Sequence, residues 1–390
     1  MAYPLAAVER AMKVQEVILR AIAGTLTWPQ AADILGCSPR TIRRYRWRLE
    51  HRGYDGLVDR RRQIPSAKRA PVAEVQRVLR LYRERYIGFN ARHFHQLARR
   101  HHGVRFSYRF VKAALQTAGL APRHRPRGRH RRRRDPRPCF GELLHLDGSR
   151  HHWLTLVPDT WFTLIAVVDD ATKQLLHAEL HDGGESVAAV MAALRAVLEG
   201  YGIPAALYTD RAHWAVHTPT SGSPPDRRRL TQVGRALARL GVEHILGYSP
   251  QARGRSERVN RTLQDRLVNE LRVAGITTLA TANRYLRDRF LPAFNAEFGR
   301  PPLDPSPAFV ALGRLELDQI LCVEDERVIG RDNVVTADRI PLQIGKQPGR
   351  RTCAGLRVLV RRHLNGQHSV WYGSRCFGRF DRRGQPVHVG

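Results

Sequence analysis

Lysine and acidic side chains are what this chain has least of. Only five of its 66 basic residues are lysine, and all 66 face 35 Asp plus Glu. A GC-rich coding sequence favours arginine over lysine, so the first scarcity decides little. The second decides more. A formal net charge of +31 over 390 residues repels itself unless a polyanion is close, and the commonest polyanion is nucleic acid. Long apolar runs are missing too. No run of about eighteen apolar residues occurs, which argues against a transmembrane helix. The opening stretch Met1–Arg10 has no basic segment followed by an apolar one, so no secretory signal is expected. Cysteine is sparse: Cys37, Cys139, Cys322, Cys353 and Cys376 are odd in number and include no C-x-x-C pair. That fits a reducing cytoplasm and argues against a disulfide framework or zinc ribbon. Apolar residues make up 42%, enough to build cores and exclude a disordered tail, in a length that holds several domains.

The first segment reads as helix-turn-helix. Val14, Val17, Ile18 and Ile22 recur at helical spacing, and Gly24 ends that helix. Thr27-Trp28-Pro29-Gln30 has the form of a capping box. A short helix follows, and Ser38-Pro39 opens a third that runs to about His51. Ile42, Tyr45 and Leu49 form its apolar stripe, while Arg40, Arg43, Arg44 and Arg48 point elsewhere, as a major-groove reader requires. Residues 1–62 are therefore expected to be a DNA-binding domain. A second helical DNA-binding domain is expected over 63–120. There Val75, Val78, Leu79 and Tyr82 mark one helix, Asn90 can cap another, Gly103 breaks it and Ser107 can cap a third. His93, His95, His101 and His102 fall in this stretch without a cysteine pair, so structural or phosphate-contacting roles are expected rather than zinc. Residues 121–139 are an Arg-rich linker, with nine Arg and four Pro and no hydrophobic periodicity. Arg131, Arg132, Arg133 and Arg134 within it are expected to track DNA phosphates.

Over 140–312 the pattern changes to an α/β core. Leu143–Asp147, Trp161–Val168, Gln174–His181, Ala205–Asp210 and Val242–Leu246 read as strands. Asp169–Thr172 reads as a hairpin turn. Helical patterns run from Glu185 to Leu198, Gln232 to Leu240 and Gly254 to about Val273. This order implies a mixed five-stranded sheet. Residues 313–390 read as short strands at Val328, Val334, Ile340, Leu356 and Ser369, punctuated by glycine, and are expected to form a small β-barrel.

Three acids stand out in this basic chain. Asp147 and Asp210 each end a strand, and Glu257 lies near a helix start. If the two strands pair, both Asp residues become neighbours, and Glu257 can face them from the helix crossing that edge. Carboxylates so close would raise one another's pKa unless cations sat among them. Hard oxygen ligands suit Mg²⁺ or Mn²⁺, and two such ions clamp the attacking and leaving oxygens of a displacement at phosphorus. Glu257, Asn260 with Arg261, and Gln264 share one helix face. Arg253 and Arg255 precede them in a basic entry segment. Arg253, Arg255, Arg261 and Gln264 are thus candidates to hold nucleic-acid backbone. Taken singly each acid has a plainer reading, because strand-end Asp forms turns and helix N-terminal Glu suits the dipole.

At these motifs the chain resembles DDE-type bacterial insertion-sequence transposases of the ISNCY group, with a retroviral-integrase-like, RNase H-like core. The likeness is carried by Leu146-Asp147-Gly148-Ser149, Val168-Asp169-Asp170-Ala171-Thr172, Tyr208-Thr209-Asp210-Arg211 and the stretch Ser249 to Arg258. Thr231 to Leu237 and Thr262 to Leu267 extend it. The resemblance implies that Asp147, Asp210 and Glu257 are the catalytic triad and hold two divalent ions. It implies a transposase that binds terminal inverted repeats and performs DNA strand cleavage and strand transfer. Its partners would be transposon-end and target duplexes, as a homo-oligomer on paired ends, in a bacterial cytoplasm beside the nucleoid. A catalytically silent helix-turn-helix repressor derived from such an enzyme is the alternative. The interval from Asp210 to Glu257 is longer than in better-known integrases, and Arg211-Ala212-His213 stands where many relatives carry glycine.

Overall fold

The computed structural model describes residues 5–58, 69–123, 135–218, 226, 229–247 and 256–387. Arg131 to Arg134, Arg253 and Arg255 lie outside them. The chain divides into two compact units, Met1–Arg77 and Val78–Gly390.

In the first unit three helices follow the sequence signals: α1 (Leu5–Ile22), α2 (Trp28–Ile34) and α3 (Pro39–Arg52). The Thr27 hydroxyl accepts from the Gln30 amide while Gln30 Oε1 accepts from the Thr27 amide at 2.9 Å, so two orphan donors of α2 are satisfied reciprocally. Ser38 caps α3 more simply, its hydroxyl accepting from the Thr41 amide. Val14 and Ile18 of α1 pack with Leu57 and Val58, and Tyr45 and Leu49 of α3 close over them.

The second unit opens with a further trio: α4 (Val72–Arg85), which crosses the unit boundary, α5 (Ala91–His102) and α6 (Tyr108–Thr117). Asn90 caps α5, Gly103 in the left-handed region ends it, and Ser107 caps α6. These are the signals the sequence carried. Tyr82, Phe89, Phe94, Val111 and Leu115 form the core of the trio.

A five-stranded sheet follows. Its strands are β1 (Leu143–His151), β2 (Phe162–Asp169), β3 (Leu175–Asp182), β4 (Ala206–Thr209) and β5 (Glu243–Leu246), in the order β3-β2-β1-β4-β5. The first three are antiparallel, and β4 and β5 add on parallel. This is the expected mixed sheet. Parallel additions need crossovers, supplied by α7 (Val187–Tyr201) and α8 (Gln232–Leu240) on one face. The other face is covered by α9 (Ser256–Val273), then α10 (Leu279–Tyr285), a π-helical turn (Leu286–Phe290) and α11 (Leu291–Phe298). Each face buries its own core, Ile165, Val167 and Leu207 toward α7 and α8, and Leu164, Ala166 and Leu180 toward α9.

A short helix, α12 (Leu317–Ile320), leads to the C-terminal strands. The expected small barrel is instead an open sheet. Strands β6 (Cys322–Val328), β9 (Arg357–His363), β10 (His368–Tyr372) and β11 (Arg375–Phe380) pair in the order β11-β10-β9-β6, and β7 (Val334–Ala337) and β8 (Ile340–Gln343) make a separate ribbon. Among the described residues β6 and β11 do not pair, so no barrel closes. The sheet is fastened to the core at Glu324 of β6. This buried carboxylate accepts from Arg239 of α8 at 2.7 and 3.0 Å and from Arg361 of β9 at 2.8 Å.

Candidate active site

Strand β1 sits at the centre of the sheet, with α9 running along it. The fit is metrical. Asn260 Nδ2 donates to Asp147 Oδ2 and Gln264 Nε2 donates to Ser149 Oγ, both at 2.9 Å. Two strand residues rise by roughly 6.6 Å and four helical residues by about 6 Å, so both steps stay in register. Asp147 and Ser149 are on one face of the strand because side chains alternate. Glu257 is on the Asn260 face of α9, one turn nearer the helix start, and is exposed.

Asp210 is reached through the parallel pairing of β1 with β4. His145 lies opposite Tyr208 in the last pair of that ladder, and Asp147 and Asp210 each follow two residues beyond it, Asp210 just past the end of β4. The Asp210 carboxylate accepts from the Ala212 amide at 2.9 Å, which fixes the turn leaving β4. Trp214, buried beyond that turn, donates to Glu185 at 2.8 Å. Glu185 in turn passes across Gly148: a Cβ there would stand 2.1 Å from Glu185 Oε1. A side chain at the position after Asp147 would therefore displace the Glu185 carboxylate from its bond to Trp214.

The structure thus draws β1, the end of β4 and the first turn of α9 to one edge. Among the described residues no three His, Cys, Asp or Glu side chains converge tightly enough to hold an ion. Arg40, Arg43, Arg44 and Arg48 are all exposed on α3 and, with Trp47 and Arg52, line one shallow depression. Arg261 is exposed on α9, whereas the Gln264 amide is turned inward to Ser149.

Two acids read as turn formers do more than turn the chain. Asp169 is fully buried and accepts from the Gly141 amide at 2.9 Å and from both the amide and hydroxyl of Thr172 at 2.7 Å. Asp170 accepts from the Arg137 amide and from His145 Nε2, both at 2.8 Å. His145 is a site neighbour that sequence reasoning missed. Its only signal was its position two residues before Asp147, hence on the same strand face. Thr209 Oγ1 at the end of β4 lies 2.9 Å from His244 Nε2 of β5, and burial pushes the His244 imidazole down to about 4.

Comparison with known proteins follows the same lines. A family model described as a helix-turn-helix domain matches residues 15–63. The transposase y4bF of Sinorhizobium fredii (strain NBRC 101917 / NGR234) is 29% identical over 98% of this chain and 83% of its own length. The transposase for insertion sequence IS1202 of Streptococcus pneumoniae is 36% identical over 42% of this chain and 34% of its own. Among solved structures, the catalytic core domain of BIV integrase is 20% identical, covering 38% of this chain and 85% of that one at a TM-score of 0.26. The resemblance to a transposase extends over nearly the whole chain, and a transposase is what these relatives and the helix-turn-helix match support.

Proposed function

We propose, from the premise of a chain built like a transposase, that it is a DDE enzyme that binds the ends of its insertion sequence and catalyses DNA cleavage and strand transfer. Asp147, Asp210 and Glu257 are its catalytic carboxylates. What supports this reading is the α9–β1 register, with Asn260 on Asp147 and Gln264 on Ser149 one turn along from Glu257, together with a parallel β1–β4 pairing that ends two residues before Asp147 and Asp210.

The three carboxylates, carried on three separate elements, would offer an all-oxygen donor set, which suits hard divalent cations such as Mg²⁺ or Mn²⁺. Two such ions, when bound, would make the attacking hydroxyl more acidic and stabilise the leaving oxygen. The protein's own contribution is positioning. Asn260 fixes the Asp147 carboxylate, the Ala212 amide fixes Asp210, and the helix carries Glu257 without a flexible arm. The α3 arginines, the 121–139 linker and Arg261 hold DNA backbone, and residues 1–62 and 63–120 share recognition of the ends. Joining two ends calls for an oligomer on paired ends, its partners being end and target duplexes.

The test is cleavage of a duplex carrying the element's ends. Asp147→Asn, Asp210→Asn and Glu257→Gln should each abolish Mg²⁺-dependent cleavage, a loss of at least about a thousandfold, with end binding in a gel shift nearly intact. Cleavage surviving in any of the three removes that residue from the triad.

A further inference from the structure

Helix α1 carries a second apolar pattern that the core of the first unit does not use. That core takes Ala11, Val14, Val17, Ile18 and Ala21. About a third of a turn round the helix, Leu5, Met12 and Leu19 stand 75%, 57% and 50% exposed at seven-residue intervals, and Ile22 is 50% exposed. Val8 and Gln15, half-buried, fall between them. The six positions are spaced by three and four in turn, as the a and d positions of a heptad repeat are. None of them joins either core of the first unit among the described residues. Single exposed apolar side chains are ordinary, but a row at heptad spacing is the seam of a helix pair. Beside the seam, on the flank away from the core, Glu9, Lys13, Glu16 and Arg20 form a second row, all exposed and alternating in sign. Alone, such a row would be a solvated face.

We propose that α1 pairs antiparallel, through this seam, with α1 of a second copy of the chain. The charge row selects both the occupant and the direction. A two-fold axis perpendicular to the helix brings the two rows side by side in reversed order. Glu9 then faces the partner's Arg20, and Lys13 faces the partner's Glu16, so each acid meets a base. Parallel pairing would instead lay each row against the apolar flank of the other helix. The same reversal sets Leu5 against the partner's Ile22, Val8 against the partner's Leu19 and Met12 against the partner's Gln15. Seam and charge row then share a centre to within one residue, about 1.5 Å along the axis. Gln15, the polar seam position, fixes the register at some cost in stability. Because α1 is already folded onto its own domain, the ordering cost that makes short isolated helices marginal does not arise. About two and a half heptads bury little area, so the pair is weak and reversible. It presents two copies of α3 to DNA, one for each of two matching sites. This pairing does not depend on the catalytic reading of Asp147, Asp210 and Glu257.

The test is sedimentation equilibrium of the full-length protein from about 1 to 100 µM, where the wild type should pass from monomer toward dimer. At about 0.15 M salt the repulsion between two chains of net charge +31 is screened beyond about 8 Å, while charges in contact still act. Met12→Glu puts a carboxylate into the seam at a position the domain core does not use, and should weaken the dimer at least about tenfold. Leu19→Glu should do the same, so the test survives if one variant misfolds. Lys13→Glu with Arg20→Glu makes the row wholly acidic. The net charge falls from +31 to +27 (31 − 4), which eases general repulsion, yet the dimer should weaken roughly fivefold. Adding Glu9→Lys and Glu16→Lys inverts every charge in the row and should restore wild-type strength. A monomer throughout the range overturns the proposal, because something other than a second copy then covers the seam. A dimer indifferent to Met12→Glu and Leu19→Glu also overturns it, since the copies then join elsewhere. So does a dimer indifferent to the all-acidic row, since the helices are then not antiparallel.

Discussion

The chain writes the same local pattern twice and uses it differently. α2 and α3 in the first unit, and α5 and α6 in the second, are each joined by a turn with a positive-φ glycine, Gly36 and Gly103, and each third helix starts on a capping serine, Ser38 and Ser107. On α3 the exposed face is mostly arginine, Arg40, Arg43, Arg44 and Arg48. On α6 it is mixed, with Arg109, Phe110 and Lys112. The sharper difference lies in the middle helix. α5 is taken up by the α/β core: Asn90 bonds Asp265, His93 Nε2 lies 2.7 Å from Glu270, and Gln96 bonds both Glu297 and, at 3.0 Å, Arg266. Three of these partners stand on α9, the helix that carries Glu257 and Asn260. Caps and turns specify a helical trio, but they leave open whether it stands apart or is built into the α/β framework.

Breaking the α5–α9 contact should have the largest effect on stability. Glu270 accepts from the Tyr285 hydroxyl at 2.8 Å as well as facing His93, and burial together with this carboxylate raises the Tyr285 pKa. Glu270→Ala strands two buried polar groups and should cost about 3 kcal/mol. Calorimetry should show the transition of the second unit falling by several degrees and that of the first unit unmoved. Equal movement of both would mean that the two trios are not independent.

Acid should separate the units next. His177 of β3 is pushed down to about 4 by burial and by neighbouring His181, and His244 to about 4 by burial. The only histidine before residue 78 is His51. An imidazole whose folded pKa lies below its unfolded value of about 6.5 binds fewer protons folded than unfolded, so stability falls as pH drops through that interval. Between pH 7 and about 4.5 each of the two should withdraw on the order of 2 kcal/mol from the second unit alone. A pH-independent core transition over that range would show that these rings are not held neutral.

How much of this was legible in the sequence follows the range of the forces involved. Caps, breakers and strand periodicity are local, so Thr27, Ser38, Asn90, Gly103 and Ser107 fall where expected, as do the five core strands, except that β1 runs on to His151 and leaves Asp147 in mid-strand rather than at its end. That Asp147 and Asp210 each lie two residues past the β1–β4 ladder depended on one pairing, which strand order alone could suggest. The stretch from Leu279 to Phe298 escaped because charged residues interrupt its apolar spacing and a π turn shifts its phase. β11 escaped because Gly378 and a register shift opposite it blur the alternation. Barrel closure is a property of edges, and no single strand's pattern states whether β6 will meet β11. Asp169 and Asp170 read correctly as a turn, but what their carboxylates grip, Gly141, Arg137 and His145, comes from chain far from the turn itself.

The smallest expected effect compares the trios most directly. Thr27→Ala removes the capping box of α2, and Ser107→Ala removes the cap of α6, each costing about 1 kcal/mol because one or two amide donors lose their acceptor. The free energies match, but the temperatures should not. The first unit unfolds few residues and absorbs little entropy, so about 1 kcal/mol should lower its midpoint by roughly 4–8 °C, while the same loss spread over the larger second unit should lower its midpoint by about 2–4 °C or less. If Ser107→Ala instead gives the larger shift, α4–α6 melts as a small body of its own, and the bonds from α5 to α9 do not bind it into the second unit.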